Sequence, residues 1–319
     1  MKSVFVMSHR RGFEADPVID ALRSRSVPVV RFNSDSGKEA SSISFAVDSG
    51  KVDVRLECDG RKLNASDIGV GWCQQLPPHL GQVANEMQSL QNGNLWAAQL
   101  AALDGLTVPW LNKPSSVINA SNKMTQLAVA RSVGLKVPRT LVSNEPNDIR
   151  AFARNKSIVA KNLATPWIGS GEETRAAYTK CITSDWLVDD EALKFCPVIY
   201  QEFHPRRKDY RVVVVGDCVF SVSCEPNENQ QEDIRRDATT GESFEACSFD
   251  AKAIQKLRLL MRKLSIEYCA ADFMEDENGK LYFLETNICG AWWWVDRLYD
   301  GKICHAIADN LENRLKNAH

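Results

Sequence analysis

Three oxygen-bearing side chains lie in two apolar segments joined by a turn, and their spacing indicates a site for a hard cation. Asp272 stands in Ala-Ala-Asp-Phe-Met, and Glu285 and Asn287 stand in Leu-Glu-Thr-Asn after the Asp-Glu-Asn-Gly turn at 276–279. In an antiparallel hairpin Asp272 falls near Glu285, and residues 285 and 287 point to one face. Such oxygens suit Mg²⁺, which also accepts substrate phosphates. A solvated face is the alternative, but the apolar neighbours favour a buried sheet, where a carboxylate needs a partner or a metal.

Two lysines precede this hairpin at positions suited to phosphates. Lys123 opens a predicted helix, and Lys161 ends a predicted strand, Ile-Val-Ala-Lys. A polar loop at 164–175 follows, and its small residues would let backbone N–H groups approach a triphosphate. These residues are Gly169, Ser170 and Gly171. Taken singly, each lysine is more typical of an ordinary surface than of a phosphate site, and the loop alone is a weak signal because it is not a Walker motif.

Between the lysines and the hairpin, an apolar strand ends in polar residues, and such a strand can form a hinge whose backbone reads an adenine. The hinge residues are Gln201, Glu202 and Phe203. Asp209 is suited to ribose hydroxyls, and Arg211 to a phosphoryl group, because a guanidinium matches phosphate oxygens. A charged loop without function, at 204–209, is the alternative.

Composition limits the classes of protein that need to be considered. The chain has 319 residues and a net charge of −2, so we expect two or three lobes and neither a nucleic-acid partner nor a membrane-binding tail. No apolar run reaches the ~18–20 residues of a membrane span. The opening residues predict a buried strand rather than a secretion signal, and the ten scattered cysteines are typical of reduced core residues. We therefore expect a cytoplasmic protein.

The hydrophobic pattern predicts an α/β fold, with α+β character in its C-terminal part. A β-α-β start indicates a parallel sheet in an N-terminal domain at 1–112, followed by a central part at 113–196 and a C-terminal part at 197–319. Ser121 is the predicted N-cap of the helix that carries Lys123. The predicted helices cover 15–26, 84–103, 121–133, 250–264 and 303–316. The predicted strands cover 2–7, 29–32, 139–143, 157–162, 197–203, 210–223, 267–274 and 280–286. Residues 40–75 are predicted to hold further strands and turns, with Asp-Gly at 59–60 as a turn signal.

The order of these pieces, from helix-start lysine to Glu-x-Asn, resembles the ATP-grasp superfamily over roughly residues 112–319. Three segments are similar to the ATP-grasp peptide ligases that mature microviridins and other graspetides. They are Val-Gly-Leu-Lys-Val-Pro-Arg-Thr-Leu-Val-Ser-Asn at 133–144, Leu-Lys-Phe-Cys-Pro-Val-Ile-Tyr-Gln-Glu at 193–202 and Glu-Thr-Asn-Ile-Cys-Gly-Ala-Trp at 285–292. Arg31-Phe32-Asn33 also fits that family's N-terminal domain, so the resemblance covers nearly the whole chain.

The resemblance implies an ATP-grasp fold with an N-terminal parallel-sheet pre-ATP-grasp domain. It implies a ligase that uses ATP and Mg²⁺, and releases ADP and phosphate, to activate Asp or Glu side chains of a ribosomal precursor peptide. Ser or Thr hydroxyls or Lys amines would then close ω-ester or ω-amide rings. The resemblance also implies a leader segment on the precursor and a homodimeric enzyme. A RimK-like ligase that adds amino acids to a protein or small molecule is the alternative.

The same resemblance implies roles for individual residues. The cation would be held by Asp272, Glu285 and Asn287, and the phosphates by Lys123 and Lys161. Catalytic arginines would be Arg211 and Arg235, although Arg236 is adjacent and competes for the second role. Acidic residues in the segment 185–194 would bind a basic leader residue, with a solvated helix face as the alternative. They are Asp189, Asp190 and Glu191.

Two segments depart from the family's pattern. Where the family often has two arginines after an early tryptophan, this chain has Trp72-Cys73-Gln74-Gln75, so we assign no charge role there. The run Trp292-Trp293-Trp294 is unusually aromatic. Core packing or a dimer face is one interpretation of that run, and contact with a peptide is the other.

Overall fold

A parallel sheet opens the chain in the computed structural model, which describes residues 2–35, 41–48, 51–76, 85–163, 167–168, 175–176, 178–234, 243–290 and 292–318. The elements of this first part are β1 (Ser3–Ser8), α1 (Ala15–Ser24), β2 (Val29–Asn33), β3 (Ser41–Asp48), β4 (Lys51–Cys58), β5 (Arg61–Asn64), β6 (Ile68–Cys73), α2 (Glu86–Asp104) and β7 (Trp110–Leu111). The order β2-β1-β6-β7, all parallel, confirms the predicted sheet. β1 is buried throughout because Val4 and Val6 enter one core cluster, and Phe5 and Met7 the other.

A second, antiparallel sheet of order β3-β4-β5 interrupts this parallel unit. Asp59 and Gly60 connect β4 to β5 with φ angles of 50° and 76°, as the predicted Asp-Gly turn requires. The sequence predicted further strands and turns here, but not that they form a sheet of their own.

The central part is built on an antiparallel sheet of four strands. Its elements are α3 (Pro114–Ala120), α4 (Lys123–Ser132), β8 (Thr140–Ser143), α5 (Pro146–Ala153), β9 (Ile158–Lys161), β10 (Trp167–Ile168), β11 (Arg175–Ala176), β12 (Lys180–Ile182), α6 (Asp190–Lys194) and β13 (Val198–Glu202). The strand order is β12-β9-β13-β8, with β13 paired to both β8 and β9. This sheet therefore extends beyond residue 196, up to Glu202.

The helix that carries Lys123 begins one residue later than predicted. Asn122, rather than Ser121, is its N-cap, because the Asn122 side chain accepts a hydrogen bond of 3.0 Å from the Thr125 N–H. Ser121 instead ends α3, a short helix that the sequence analysis did not separate. Gly134, at φ +82°, follows the end of α4.

The C-terminal part holds a five-stranded antiparallel sheet. Its elements are β14 (Arg206–Val215), β15 (Cys218–Cys224), β16 (Glu245–Ala246), α7 (Ala251–Lys263), β17 (Tyr268–Asp276), β18 (Leu281–Asn287), α8 (Trp293–Asp296) and α9 (Lys302–Asn317), and the strand order is β16-β15-β14-β17-β18. The single strand expected at 210–223 was wrong. It is a hairpin of β14 and β15, and its turn is made possible by Gly216 at φ +54°.

The last helix packs on the first sheet. α9 contacts α1, β1 and β6, and also reaches β14. Ile307 and Leu311 share a core cluster with Val4 and Val6 of β1 and with Val213 of β14. The N-terminal sheet therefore receives part of its helical cover from the far end of the chain.

A buried asparagine joins the parallel sheet to the C-terminal sheet at the predicted boundary. Asn112 is 2% exposed and has a left-handed backbone at φ 57°. Its amide nitrogen donates to the carbonyls of Tyr268 (2.8 Å) and Ile288 (3.1 Å). Its amide oxygen accepts from the N–H groups of Glu267 (2.8 Å) and Tyr268 (3.1 Å). One side chain thus satisfies backbone groups at the start of β17 and beyond the end of β18.

Three absences bear on function within the described part of the chain. No helix there is both long and apolar enough to cross a bilayer. The nine cysteines characterised there are free thiols. Nowhere in the described ranges do three His, Cys, Asp or Glu side chains form a metal-binding cluster.

Candidate active site

The register of three neighbouring strands brings the candidate residues together. Arg211 of β14 lies directly opposite Asp272 of β17, and Asp272 lies directly opposite Glu285 of β18. Side chains that are opposite one another project from the same face of a sheet. Arg211 Nε lies 2.6 Å from Asp272 Oδ1, and Asn287 Nδ2 lies 3.2 Å from Asp272 Oδ2. The predicted pairing of Asp272 with Glu285 is confirmed, while their role as metal ligands stays a prediction.

A bulge in the hairpin makes this pairing possible. Phe273 pairs with Phe283, but the next residue, Asp272, pairs with Glu285, so Leu284 is the extra residue. Without the bulge, Asp272 would lie opposite Leu284, and Glu285 would point to the other face. The bulge therefore aims both carboxylates at one place.

Lys123 reaches this place from the first turn of α4. Its Nζ lies 3.2 Å from Glu285 Oε2 and 3.4 Å from the Asn162 carbonyl. One turn later, the buried Gln126 amide exchanges hydrogen bonds of 2.8 and 2.9 Å with the carbonyl and N–H of Thr286. Gln126 thus attaches α4 to β18, a function that its position inside a helix did not signal.

Lys161 ends β9 at the same cavity. Burial, followed by the positive charge of Arg206, lowers the pKa of Lys161 to about 8. A bound polyphosphate would restore the cation, because negative charge favours the ammonium form. Lys161 is thus suited to sense whether an anion is present.

The carboxylates differ in how readily they accept a proton. Burial, opposed by Arg211 but assisted by Glu285, raises the pKa of Asp272 to about 6. Burial alone would also raise the pKa of Glu285, but the ammonium groups of Lys123 and Lys161 outweigh it and lower that pKa. Glu285 is therefore the more firmly ionised of two neighbouring carboxylates, and a shared divalent cation would relieve their repulsion.

The donor set fits a hard divalent cation. Asp272 and Glu285 supply carboxylate oxygens at one face, and Asn287 can supply its amide oxygen after a flip of its side chain. Three protein ligands leave coordination positions of the cation open to phosphate oxygens, an arrangement that Mg²⁺ prefers.

Asp209 has a partner that the sequence analysis missed. It is 5% exposed, and Arg206 donates a hydrogen bond of 2.7 Å to its Oδ1. Its Oδ2 is buried and makes no hydrogen bond within the described residues. Burial raises the pKa of Asp209 despite the charge of Arg206. The i, i+3 spacing of Arg206 and Asp209 did not reveal this pair, since in a strand such residues usually face opposite ways.

The hinge residues are held by the protein itself. Gln201 is 3% exposed and donates to Thr140 Oγ1 at 3.0 Å. Glu202 forms an ion pair of 2.8 Å with Lys156. The Phe203 N–H donates to the Ser157 carbonyl at 2.9 Å. Of these hinge residues, Gln201 lines the cavity.

The remaining predicted residues lie elsewhere or are not described. Gly169, Ser170, Gly171, Arg235 and the competing Arg236 lie outside the described residues. The acidic residues proposed for the leader are not among the residues that line the cavity. Asp189 caps α6 by accepting from the Ala192 N–H at 3.1 Å, Asp190 pairs with Arg150, and Glu191 is exposed.

One cavity of about 860 Å³ unites these groups. Lys123 and Lys161 line it together with Arg211, Asp272 and Glu285. Its volume suits a ligand of nucleotide size, since small-molecule pockets occupy roughly 300–1,000 Å³.

The three consecutive tryptophans have three different environments. Trp292 is buried at 1% exposure. Trp294 lines the cavity, with the Arg211 guanidinium 5.7 Å above its ring. Trp293 is 41% exposed and meets Phe13 edge-on at 5.4 Å. Core packing therefore accounts for Trp292, and in part for Trp294, which packs against the same core cluster and meets the buried Phe244 at 5.0 Å.

Comparison with known proteins supports the fold. No model of a protein family matches the sequence, and neither does any curated protein. Among solved structures, an ATP-grasp ligase associated with a ribosomal peptide from Chryseobacterium gregarium, in complex with ADP and a leader and core peptide, aligns at TM-score 0.88 and 23% identity over 98% of this chain and 97% of that chain. The macrocyclase MdnC of Microcystis aeruginosa MRC, bound with precursor peptide MdnA, aligns at 0.84 and 23% over 98% and 99%. The ATP-grasp ligase PsnB, complexed with a precursor variant, Mg and ADP, aligns at 0.77 and 21% over 98% and 99%.

Replacing Lys161 with arginine should change how ATP affinity depends on pH. In the unsubstituted protein, affinity should fall by up to about tenfold per unit above pH 8, because the ammonium group loses its proton near there. Arginine stays charged, so Lys161→Arg should flatten this alkaline fall. Calorimetric titration with ATP across that range measures both profiles. Lys252→Arg, on the exposed side of α7, is the matched control, and identical profiles for all three proteins would contradict the assignment.

Proposed function

We propose that this chain, which has the ATP-grasp fold, is an ATP- and Mg²⁺-dependent ligase that joins side chains of a ribosomal precursor peptide. The observation that carries the proposal is the register Arg211–Asp272–Glu285, placed in one cavity with Lys123 and Lys161. A cation that holds phosphates and cationic side chains that balance their charge are the requirements of phosphoryl transfer.

The first step would make an acyl phosphate. A carboxylate oxygen of a peptide Asp or Glu attacks the γ-phosphorus of ATP, the bond to the bridging oxygen breaks, and ADP leaves. Lys123 and Lys161 balance phosphate charge, while Arg211 steadies the transferring group. Magnesium held by Asp272, Glu285 and Asn287 would supply Lewis-acid stabilisation of the phosphate oxygens.

The second step would close the bond. A Ser or Thr hydroxyl, or a Lys amine, attacks the acyl carbon, phosphate leaves, and the nucleophile gives up its proton. The product is an ω-ester or an ω-amide. We assign Arg235 to the same phosphoryl group as Arg211, and we assign Gly169, Ser170 and Gly171 to a loop that covers the phosphates and excludes water.

Nucleotide placement follows from the hinge. The backbone of Gln201, Glu202 and Phe203 would hydrogen-bond to the adenine, and Asp209 would accept hydrogen bonds from the ribose hydroxyls. The side chains of the first two are held by Thr140 and Lys156, which keeps the hinge backbone in place for that purpose. Asp209 keeps one buried carboxylate oxygen available.

A peptide substrate is favoured over a small one. The solved structures that align at TM-scores of 0.84 and 0.88 hold precursor or leader peptides, whereas D-cycloserine synthetase aligns at 0.60 and 13% identity. ATP, reduced thiols and a ribosomal substrate are available together in the cytoplasm, which is the proposed location and which cell fractionation would test.

We place the leader of the precursor beside α6. Glu191 is exposed there, next to Asp189 and Asp190. Exposed apolar side chains surround these acids, namely Trp186 (51%), Val188 (76%) and Phe195 (87%). A surface of this kind suits an amphipathic segment with a basic residue.

We further propose a homodimer through the tip of the β3–β4 hairpin. Phe45, Val47 and Val52 are 54%, 70% and 60% exposed there. They share one face with Val54 and Leu56, which are buried nearer the core. An apolar sheet face that continues into solvent is typical of an interface, and the same face on a second copy is its simplest complement.

Co-expression with short peptides encoded beside the gene tests the ligase function. Each candidate should be rich in Thr or Ser and in Asp or Glu, and the products are weighed by mass spectrometry. Losses in whole multiples of one water are expected, because each ring releases one. Mass gains would favour the amino-acid-adding ligase instead. Glu285→Gln should abolish the losses, while Glu277→Gln, exposed in the turn of the same hairpin, should keep them.

Reversing charge at Glu191 tests the leader surface. Glu191→Lys should weaken binding of the precursor that the co-expression experiment identifies by about tenfold, since the new lysine would then meet a basic leader residue at the interface. Fluorescence anisotropy with labelled precursor measures this, and ATP affinity should not change. Glu277→Lys is the control. Equal affinities for both variants would refute the leader assignment.

Light scattering tests the dimer. The expected mass is twice the 35.7 kDa of one chain. The double variant Val47→Glu, Val52→Glu should halve that mass, because two buried charges at the contact cost more than the apolar surface contributes. A monomeric mass for the unsubstituted protein would rule the homodimer out.

A further inference from the structure

Two exposed aromatic rings stand beside the cavity and belong neither to the core nor to the nucleotide site. Phe13 is 56% exposed and Trp293 is 41% exposed, and their rings meet edge-on at 5.4 Å. We propose that these rings, together with Arg11, form a subsite for the acidic core segment of the peptide substrate, and we call these three residues the lip. The inference rests on the proposed function, because it names how that substrate is held.

The lip is continuous with the cavity. Trp294 follows Trp293 directly and lines the cavity beside Arg211. On the other side, Glu14 follows Phe13, and a Cβ on the cavity residue Gly290 would lie 3.5 Å from Glu14 Oε2. A peptide that presents a carboxylate to Arg211 and leaves the cavity on this side passes over both rings.

The backbone segments that carry the two exposed rings are held in place. The Arg31 guanidinium donates to the carbonyls of His9 (2.7 Å) and Gly12 (3.3 Å), which fixes the loop that carries Phe13. Gly12 is needed there, since a Cβ would lie 2.2 Å from Ser8 Oγ. Trp293 begins α8, and Asp296 in that helix accepts from the Ile303 N–H at 2.7 Å. Ordered aromatic side chains lose little entropy on binding, which favours contact with a flexible peptide.

Arg11, which stands two residues before Phe13 in the chain, carries a positive charge that favours an acidic partner. Arg11 is exposed, and its guanidinium has no ion pair in the portion of the chain that the structure describes. Its neighbour Arg10 is instead paired with Asp59 at 2.9 Å. Carboxylates awaiting activation are the chemical feature that the proposed substrate must carry, so an exposed guanidinium two residues before Phe13 in the chain complements it.

A labelled synthetic peptide of alternating Thr and Glu, compared with one of Thr and Gln, tests the lip by fluorescence anisotropy. Phe13→Ala and Trp293→Ala should each weaken binding of the Glu peptide by about five- to tenfold. Arg11→Gln should reduce the preference for Glu over Gln. Phe13→Tyr and Trp293→Phe should retain binding because they keep a ring. Unchanged binding in both alanine variants would overturn the proposal.

Matched controls lie on the exposed face of α7. Leu259 is 41% exposed, like Trp293, and Arg262 is exposed, like Arg11. Leu259→Ala and Arg262→Gln should leave both peptides' affinities unchanged, and ATP affinity should not differ among any of the variants. A monomeric mass for Phe13→Ala or Trp293→Ala, from a dimeric parent, would overturn the proposal in favour of contact with a second copy.

The failure of this inference differs from the failure of the ligase function. If the lip variants still remove water from the precursor at limiting peptide concentration as fast as Leu259→Ala does, the lip is wrong and the ligase stands. If the Glu peptide binds through the lip but no peptide loses water with the unsubstituted protein, the lip stands and the ligase function is wrong.

Discussion

The compensation of buried charge at one end of the C-terminal sheet is the constraint on which the rest of this structure depends. Asp209 and Asp272 lie in a poorly solvated region, and one oxygen of each is paired with an arginine of β14 at 2.6–2.7 Å. Such groups are costly when either partner is lost, because an unpaired buried charge remains. The ammonium groups of Lys123 on α4 and Lys161 on β9, both outside that sheet, compensate the negative charge of Glu285. The charges therefore require the central and C-terminal parts to converge on one cavity.

Neutral amides hold the parts together without adding charge. Asn112 joins the parallel sheet to β17 and to the end of β18, and Gln126 joins α4 to β18. Each binds backbone groups that have no partner in a regular ladder, which a buried amide can do because it both donates and accepts. The arrangement places Lys123 within reach of Glu285 through rigid elements rather than loops, and rigid elements position a site more accurately.

The tryptophan run connects the interior to the proposed substrate path. Trp292 is in the core, Trp294 is at the cavity wall, and Trp293 is at the surface. Three consecutive residues thereby connect the core, the surface and the cavity wall, and the proposed peptide contact lies at the second of them. The proposed leader and dimer surfaces lie on β3, β4 and the α6 segment, so peptide binding and assembly would use parts of the chain that the charge balance leaves unconstrained.

The sequence by itself determined most elements and predicted several of the side chains that meet in the cavity. Alternation and turn residues predicted the hairpin that pairs Asp272 with Glu285, and helix periodicity predicted α1, α2, α4, α7 and α9, because these signals are local. Only the tertiary structure decided the bulge at Leu284, the partnership of Arg206 with Asp209 and the packing of α9 on the first sheet. The bulge and the packing of α9 depend on contacts between distant segments, and the Arg206–Asp209 pair depends on the irregular register of β14 against β17. The Phe283 N–H, for example, donates outside the hairpin to the Lys136 carbonyl at 2.8 Å, next to the bulge. The spacing of residues along the chain does not reveal such a contact, because the contact depends on how one segment is buried against another.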